Sequence, residues 1–189
     1  MSVYSNKLII RSLRTFLKIL PIYNITIINN EVVLILNTDF LLTILFFLKN
    51  HVYCQYKILV TIVGVDYLNK TNRFELIYEL LSLRFNNRIK IKLVLNELEF
   101  VESCKHIFNA SVWYENEIWD MYGIVFNNRY KLQRILTDYG FEGFPLRKDF
   151  PLCGFVEIKY SKSKKKILTE SVELAQEYRT FKFISPWKN

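Results

Sequence analysis

Residues 88–95 read RIKIKLVL, with Arg88, Lys90 and Lys92 alternating against Ile89, Ile91 and Leu93. Side chains of an extended strand point to opposite faces in turn, so this alternation predicts a strand with one wet face and one buried face. Two further β-rich runs precede it, at 55–67 and 73–83. The polar breaks at 68–72 and at Asn86-Asn87 supply turn residues between the three runs. Toward the N-terminus, 22–28 and 32–36 read as two more strands around Asn29-Asn30, a hairpin-type turn.

Helices flank these strands. Leu8, Ile9, Leu13, Phe16, Leu17 and Leu20 recur at helical spacing, which predicts a core-facing helix over 6–20 that stops before Pro21. Arg and Ser on the same segment also fit a mitochondrial presequence. Thr38 or Asp39 is placed to cap a second helix running to Lys49. A short helix is expected over 97–108 and another over 111–122, with Ser111 as N-cap and Gly123 as the C′ residue. Tyr114, Ile118, Met121 and Tyr122 would line one face of the latter, with Glu117 and Asp120 on a polar face; Trp113 and Trp119 read as core. Helices before and between antiparallel strands give an α+β class, a two-layer domain with flanking helices. The division is placed after Tyr122, with 1–122 as the core domain and 123–189 as a motif region, terminal hairpin and tail.

The motif region is irregular. Residues 135–151 read ILTDYGFEGFPLRKDFP, almost all Gly, Pro, aromatic or charged. Gly140 and Gly143 open backbone conformations closed to other residues, and Pro145 and Pro151 fix the chain direction. Such a segment suits a surface held against another protein. Arg147, Lys148 and Asp149 form its charged centre, either an interface latch or a structural turn with internal pairs. Tyr139, Phe141, Phe144 and Phe150 supply aromatic area of the kind enriched at interfaces. A hairpin follows, 155–160 and 166–170 around the basic loop SKSKKK. The tail from Ser171 carries Tyr178, Arg179, Phe181, Phe183 and Trp187 without strand or helix period, as a docking arm would.

Chemistry of its own is not indicated. Asp120, Asp138, Glu142 and Asp149 lie in or near the motif without a nucleophile–base pair, and His51 and His106 fall outside it. Neither GxGxxG nor GxxxxGK[ST] occurs. Cys54, Cys104 and Cys153 are far apart and form no CxxC pair, which argues against zinc or an iron–sulfur cluster and for buried thiols in a reducing compartment. The net charge of +8 over 189 residues admits nucleic acid, anionic lipid or an acidic protein as partner. Lys162, Lys164, Lys165 and Lys166 could be a solvated turn or an RNA contact, but no RNA-binding signature accompanies them. The longest apolar run, 40–48, is too short to span a bilayer. Abundant Ile, Leu, Phe, Tyr, Asn and Lys share A/T-rich codons and point to an organelle genome.

Four strings carry a family resemblance: WYENEIWDMYGI at 113–124, RILTDYGFEGFPLRKDFPL at 134–152, VELAQEYRTFKFISPW at 172–187 and, more weakly, GVDYLNKTNRFELIYELLSLRFNNRIKIK at 64–92. Together they closely resemble the thirty-kilodalton (C-type) subunit family of respiratory complex I. The resemblance implies a mixed sheet and a non-redox scaffold in the quinone module of the peripheral arm. It implies other complex I subunits as partners, chiefly the forty-nine-kilodalton subunit and neighbouring iron–sulfur subunits. It also implies a mitochondrial, matrix-side location, membrane association only through the complex, and no nucleic acid. No cofactor would be bound by this chain, while the proton-translocating complex uses NADH, FMN, iron–sulfur clusters and ubiquinone. The chain departs from the family at Asn116, usually Arg; at Asn127-Asn128-Arg129, usually Asn-His-Pro; at Phe144, usually His; and at Ser171, usually Pro. The alternative from a different class is a basic RNA-binding or organellar ribosome-associated protein.

Overall fold

The computed structural model describes residues 20–29, 31–129, 131–179, 181 and 187. The expected first helix, and Phe183 of the tail, fall outside the described residues. Five strands form one sheet: β1 (Asn24–Ile28), β2 (Glu31–Leu36), β3 (Ile58–Asp66), β4 (Phe74–Ser82) and β5 (Asn87–Leu95), in the order β1-β2-β5-β4-β3. The β1–β2 turn uses Asn29 at φ 51°, a left-handed conformation that Asn tolerates. β2 and β5 run parallel and the other neighbours antiparallel, so the sheet is mixed.

The alternation of 88–95 sets the two faces. Ile89, Ile91, Leu93 and Leu95 are fully buried and stand opposite Leu80, Tyr78, Leu76 and Phe74 of β4. Two helices cover this face. α1 (Leu41–Asn50) contributes Leu41, Ile44, Leu45 and Leu48, all fully buried. α2 (Ser111–Tyr122) packs on β3, where the Tyr114 hydroxyl donates to the Val60 carbonyl at 2.7 Å. Gly64 makes room for the Tyr122 ring, since a Cβ there would lie 2.8 Å from it. The opposite face carries cross-strand ion pairs, Lys90 with Glu31 at 2.6 Å and Lys92 with Glu75 at 2.5 Å. Lys70 also reaches Glu75, which is only 4% exposed. Burial pushes the Glu75 carboxyl up, but hydrogen bonds from Lys92 and Lys70 outweigh it and hold it below the usual carboxylate range.

Several local expectations fail for identifiable reasons. Thr38 does not cap α1; it sits in a single 3₁₀ turn, Thr38–Phe40, and its hydroxyl donates to Glu99 at 2.8 Å. No helix forms over 97–108. β6 (Val101–Glu102) pairs there in parallel with β7 (Phe126–Asn127), flanked by turns. The partner lies beyond α2 in the chain, so local periodicity could not reveal it. Ser111 is the first helical residue, not the N-cap, which is Ala110. Trp113 is 61% exposed, because Ser111, Glu115 and Ile118 take the inward stripe of α2. Cys54 and Cys104 are buried as expected, but Cys153 is exposed.

The chain divides into two compact units, the first ending at Phe150 and the second running from Pro151. The irregular segment 123–150 falls within the first of these units. The second unit holds the expected hairpin, β8 (Val156–Ser161) and β9 (Lys166–Ser171). Among the described residues, no helix is long and apolar enough to cross a membrane.

Candidate functional site

Helix α2 is the platform for the motif segment. It ends at Gly123, whose φ of 77° and N–H bond to the Trp119 carbonyl give the left-handed C-terminal turn expected of Gly. A Cβ at Gly123 would lie 2.6 Å from the Phe144 ring and 2.8 Å from an Arg147 nitrogen, so the returning loop presses directly on the helix end. The Leu146 N–H donates to the Met121 carbonyl, and the Arg147 Nε donates to the Tyr122 carbonyl at 2.6 Å. A guanidinium at this position satisfies a carbonyl left open by the helix and opposes the negative end of its dipole.

Three carboxylates, all at most 4% exposed, anchor this part of the unit. Glu115 accepts from the Ser103 hydroxyl at 2.8 Å, the Cys104 N–H at 2.9 Å and Arg129 Nη1 at 2.8 Å. Arg129 also donates to the Val112 carbonyl and to Asn116 Oδ1, each at 2.8 Å. Thus at two positions where the chain departs from the pattern it resembles, the Arg129 side chain lies against Asn116. Asn128, a third departure, donates to Glu102 at 2.6 Å. Burial, with the Glu115 charge behind it, pushes the Cys104 thiol up to about 12, so the thiol is inert at physiological pH.

Asp120 gathers the loop. It accepts three consecutive backbone N–H groups, from Ile135, Leu136 and Thr137 at 2.8–3.1 Å. The Thr137 hydroxyl and Arg134 Nη1 complete its shell at 2.7 and 3.1 Å. Burial pushes this carboxyl up, yet the Thr137 hydroxyl and the three N–H groups prevail and hold it below the usual range. Arg134 also donates to the Gly143 carbonyl and lies over the Trp119, Phe141 and Phe144 rings.

Asp66, at the end of β3, ties the other side. Arg73 grips it with two nitrogens at 2.8 and 3.0 Å, and the Lys148 N–H donates at 2.7 Å. Burial again pushes the carboxyl up, and the Arg73 and Lys148 hydrogen bonds bring it below its usual range. Arg73 continues to Asp149 at 2.8 Å, and Arg147 meets Glu97 at 2.7 Å. Arg147 and Asp149 therefore both make internal pairs, with different partners.

Of the residues proposed from the sequence, Phe141, Phe144, Arg147, Asp149 and Phe150 are brought together in this loop. Phe141 meets Phe150 with ring centroids 5.8 Å apart, and Phe144 lies under Arg147. Tyr139 is fully exposed, and Lys148 uses its backbone here while its side chain stays in solvent. Tyr178, Arg179, Phe181 and Trp187 are exposed residues of the second unit. Sequence reading missed Glu115, Asp120, Arg129, Arg134, Asp66 and Arg73, and Asp120 had been set on a wet face. A charge inside an apolar stripe was the available signal: Glu115 shares a helical stripe with Ser111 and Ile118, and Arg residues follow at 129, 134 and 147. Each buried carboxylate already accepts several hydrogen bonds from protein donors. These hydrogen bonds tether the chain segments that supply the donors.

The chain matches the family model for the respiratory-chain NADH dehydrogenase 30 Kd subunit over residues 34–156. It is similar to NADH-ubiquinone oxidoreductase subunit 9 of Reclinomonas americana, 49% identical over 78% of this chain and 72% of that protein. It is likewise similar to subunit 9 of Prototheca wickerhamii, 46% identical over 84% and 83%. NADH dehydrogenase (ubiquinone) iron-sulfur protein 3 of Arabidopsis thaliana is 48% identical over 80% of each chain. Among solved structures, a chain of the membrane-bound sulfane sulfur reductase, an archaeal respiratory membrane complex, superposes with a TM-score of 0.67. That likeness covers 89% of this chain and 98% of the other at 22% identity, and shows a shared fold.

Proposed function

The chain belongs to the family of the respiratory-chain NADH dehydrogenase 30 Kd subunit, and from that premise we propose that it is a non-redox scaffold subunit of respiratory complex I. Its place is the quinone module of the peripheral arm, where it supports assembly of NADH:ubiquinone oxidoreductase and electron transfer from NADH to ubiquinone. The observation that carries this reading is the family match across 34–156, which takes in β3, β4, β5, α2 and the whole tethered loop. Family membership sets aside the alternative of a basic RNA-binding or ribosome-associated protein.

The finer assignments follow in the same voice. The partners are other complex I subunits, chiefly the forty-nine-kilodalton subunit and the neighbouring iron–sulfur subunits. The location is the mitochondrion, on the matrix side of the inner membrane, with membrane contact only through the complex. Relatives named iron-sulfur protein carry that word for the assembly, in this reading. Among the described residues, no three His, Cys, Asp or Glu side chains converge as a metal site would need. NADH, FMN, the iron–sulfur clusters and ubiquinone are the complex's cofactors, bound by other chains. Tyr139, Phe141, Phe144, Arg147, Lys148, Asp149 and Phe150 of the loop, with Tyr178, Arg179, Phe181, Phe183 and Trp187 of the tail, form the partner-facing set. Loop residues whose charges are paired internally would shape that surface, and Tyr139 and the Lys148 side chain would meet the partner directly.

The test is native electrophoresis of mitochondria carrying the tagged chain. The tag is expected to co-migrate with NADH:ubiquinone oxidoreductase activity. Co-purification with ribosomal RNA and no respiratory subunits would overturn the reading.

A further inference from the structure

The tethered loop does not account for the hairpin of the second unit. Among the described residues, β8 and β9 pair only with each other. A lone two-stranded ribbon is marginal in water and needs an apolar face to be covered. This ribbon has such a face. Val156, Ile158 and Tyr160 alternate along β8 to one side, and Ile167 stands opposite Tyr160 on β9. All four are at least 60% exposed. The other side is mostly charged, with Lys159 paired to Glu170, and its Glu157, Leu168 and Glu170 are half-buried, so the row of Val156, Ile158, Tyr160 and Ile167 is the more exposed of the two.

The tip adds a charge of one sign. Lys162, Lys164, Lys165 and Lys166 fall within the turn and its exit. The turn is shaped from within: Ser161 Oγ accepts the Lys164 N–H at 3.3 Å and shares a hydrogen bond with Ser163 Oγ at 3.0 Å. Lys165 holds a left-handed φ of 51°. The four Lys residues are all exposed, and none has a carboxylate partner within the chain among the described residues. An apolar strip ending in a cluster of unpaired ammonium groups is complementary to an apolar surface with an acidic border, and in a chain that joins an assembly of subunits that surface is a neighbouring protein.

We propose that the β8–β9 hairpin is a docking element for a neighbouring protein subunit, whose contact surface is an apolar strip bordered by a cluster of Asp and Glu side chains. The apolar row supplies the buried centre of the contact, and the lysine tip supplies its orientation and encounter rate. This rests on the assembly reading above and names the chemistry of one of its partners.

The experiment uses the full chain in its native complex. A photo-crosslinking amino acid replaces Tyr160, and incorporation is followed by native electrophoresis. The expected crosslink joins Tyr160 to a protein subunit at a peptide rich in Asp and Glu. In parallel, Lys162, Lys164, Lys165 and Lys166 are changed together to Glu, and separately Ile158→Asp is made. Each should lower incorporation on the order of tenfold or more, since like charges brought together across a contact cost several-fold in affinity per pair. The lysine variant leaves the apolar row untouched; because Lys166 opens β9 and pairs with Ser161, an unchanged melting temperature of the free variant chain is required alongside, so that a loss of incorporation is read at the contact. Normal incorporation of the lysine variant, or no protein crosslink from Tyr160 within an assembled complex, would overturn the docking proposal and leave the assembly reading standing. A crosslink to phospholipid, matched by tip-dependent binding to vesicles containing cardiolipin, would also overturn it in favour of a membrane contact. Absence of the unmodified chain from the complex would overturn both.

Discussion

Glu115 and Arg129 show how much one residue can hold. Removing the guanidinium would leave a carboxylate at 0% exposure with the Ser103 hydroxyl and the Cys104 N–H and thiol as its remaining donors, none of them charged. Breaking a buried pair from one side typically costs about 3–5 kcal/mol. Arg129→Ala is therefore expected to lower stability by that order in chemical denaturation, and a change below about 1 kcal/mol would show that water replaces the guanidinium. Asp120 makes a pH prediction. Its folded carboxyl lies below the ordinary 3.8, so the native state binds fewer protons than the unfolded chain near that pH. The stability it contributes is fully present above pH 3.8 and is lost as pH falls through the folded value. Melting temperature should drop steeply in that acid range. Asp120→Asn should melt lower at neutral pH and show a shallower acid drop; an unchanged acid profile would move the effect to Asp66 and Glu75. None of these tethers was legible residue by residue. A sequence shows that Glu115 is charged but not that Arg129 and Cys104 come to meet it.

At the scale of elements the chain speaks more clearly. Strands β1 to β5, α1 and α2 all follow from alternation, helical period and turn residues, because each is specified within about ten residues of itself. β6 was misread as helix because its partner, β7, lies beyond α2. The motif segment was legible as irregular and Gly-dependent, and the structure separates the glycines by what they face. Gly123 combines a φ of 77° with a would-be Cβ 2.6 Å from the Phe144 ring, whereas Gly140 has a φ of 75° and open space. Ala at a positive φ costs roughly 1 kcal/mol or more from the backbone alone. Gly140→Ala should show about that cost, and Gly123→Ala clearly more, since the loop must also move off the helix end. Thermal melting of the two variants decides it, and equal costs would mean that Phe144 and Arg147 yield without penalty. Gly64→Ala tests the same logic on β3. Its clash is with the Tyr122 ring at 2.8 Å, so overpacking of about 1–3 kcal/mol is expected, with loosening of α2 visible in amide exchange.

For the whole molecule, the family came from strings concentrated in 113–187, and their physical reason is now partly visible. Asp120, Gly123, Arg134 and Arg147 are the parts that fold the loop onto the end of α2. A chain built this way spends its charged residues on its own shape, which fits a scaffold. Purified, it should carry neither stoichiometric flavin nor iron and should show no NADH oxidation; a visible absorption band that co-elutes with the chain would contradict that. The tail gives the last prediction. β9 ends at Ser171, and the Val172 N–H closes the ladder by donating to the Phe155 carbonyl at 3.1 Å. Beyond it, Leu174, Tyr178, Phe181 and Trp187 are each at least 50% exposed. So many apolar groups in water favour burial on another surface, with the ordering entropy lost only on binding. A chain ended after Val172 should keep the melting temperature of the full chain, because the β8–β9 ladder, closed by the Val172 N–H, stays whole. It should nevertheless fail to enter the complex. Trypsin should cut the free full-length chain at Lys162–Lys166 and in the tail, and both regions should be protected in the assembled complex. Equal protection in the free chain, or a large fall in melting temperature on truncation, would show that the tail completes this chain's own fold instead.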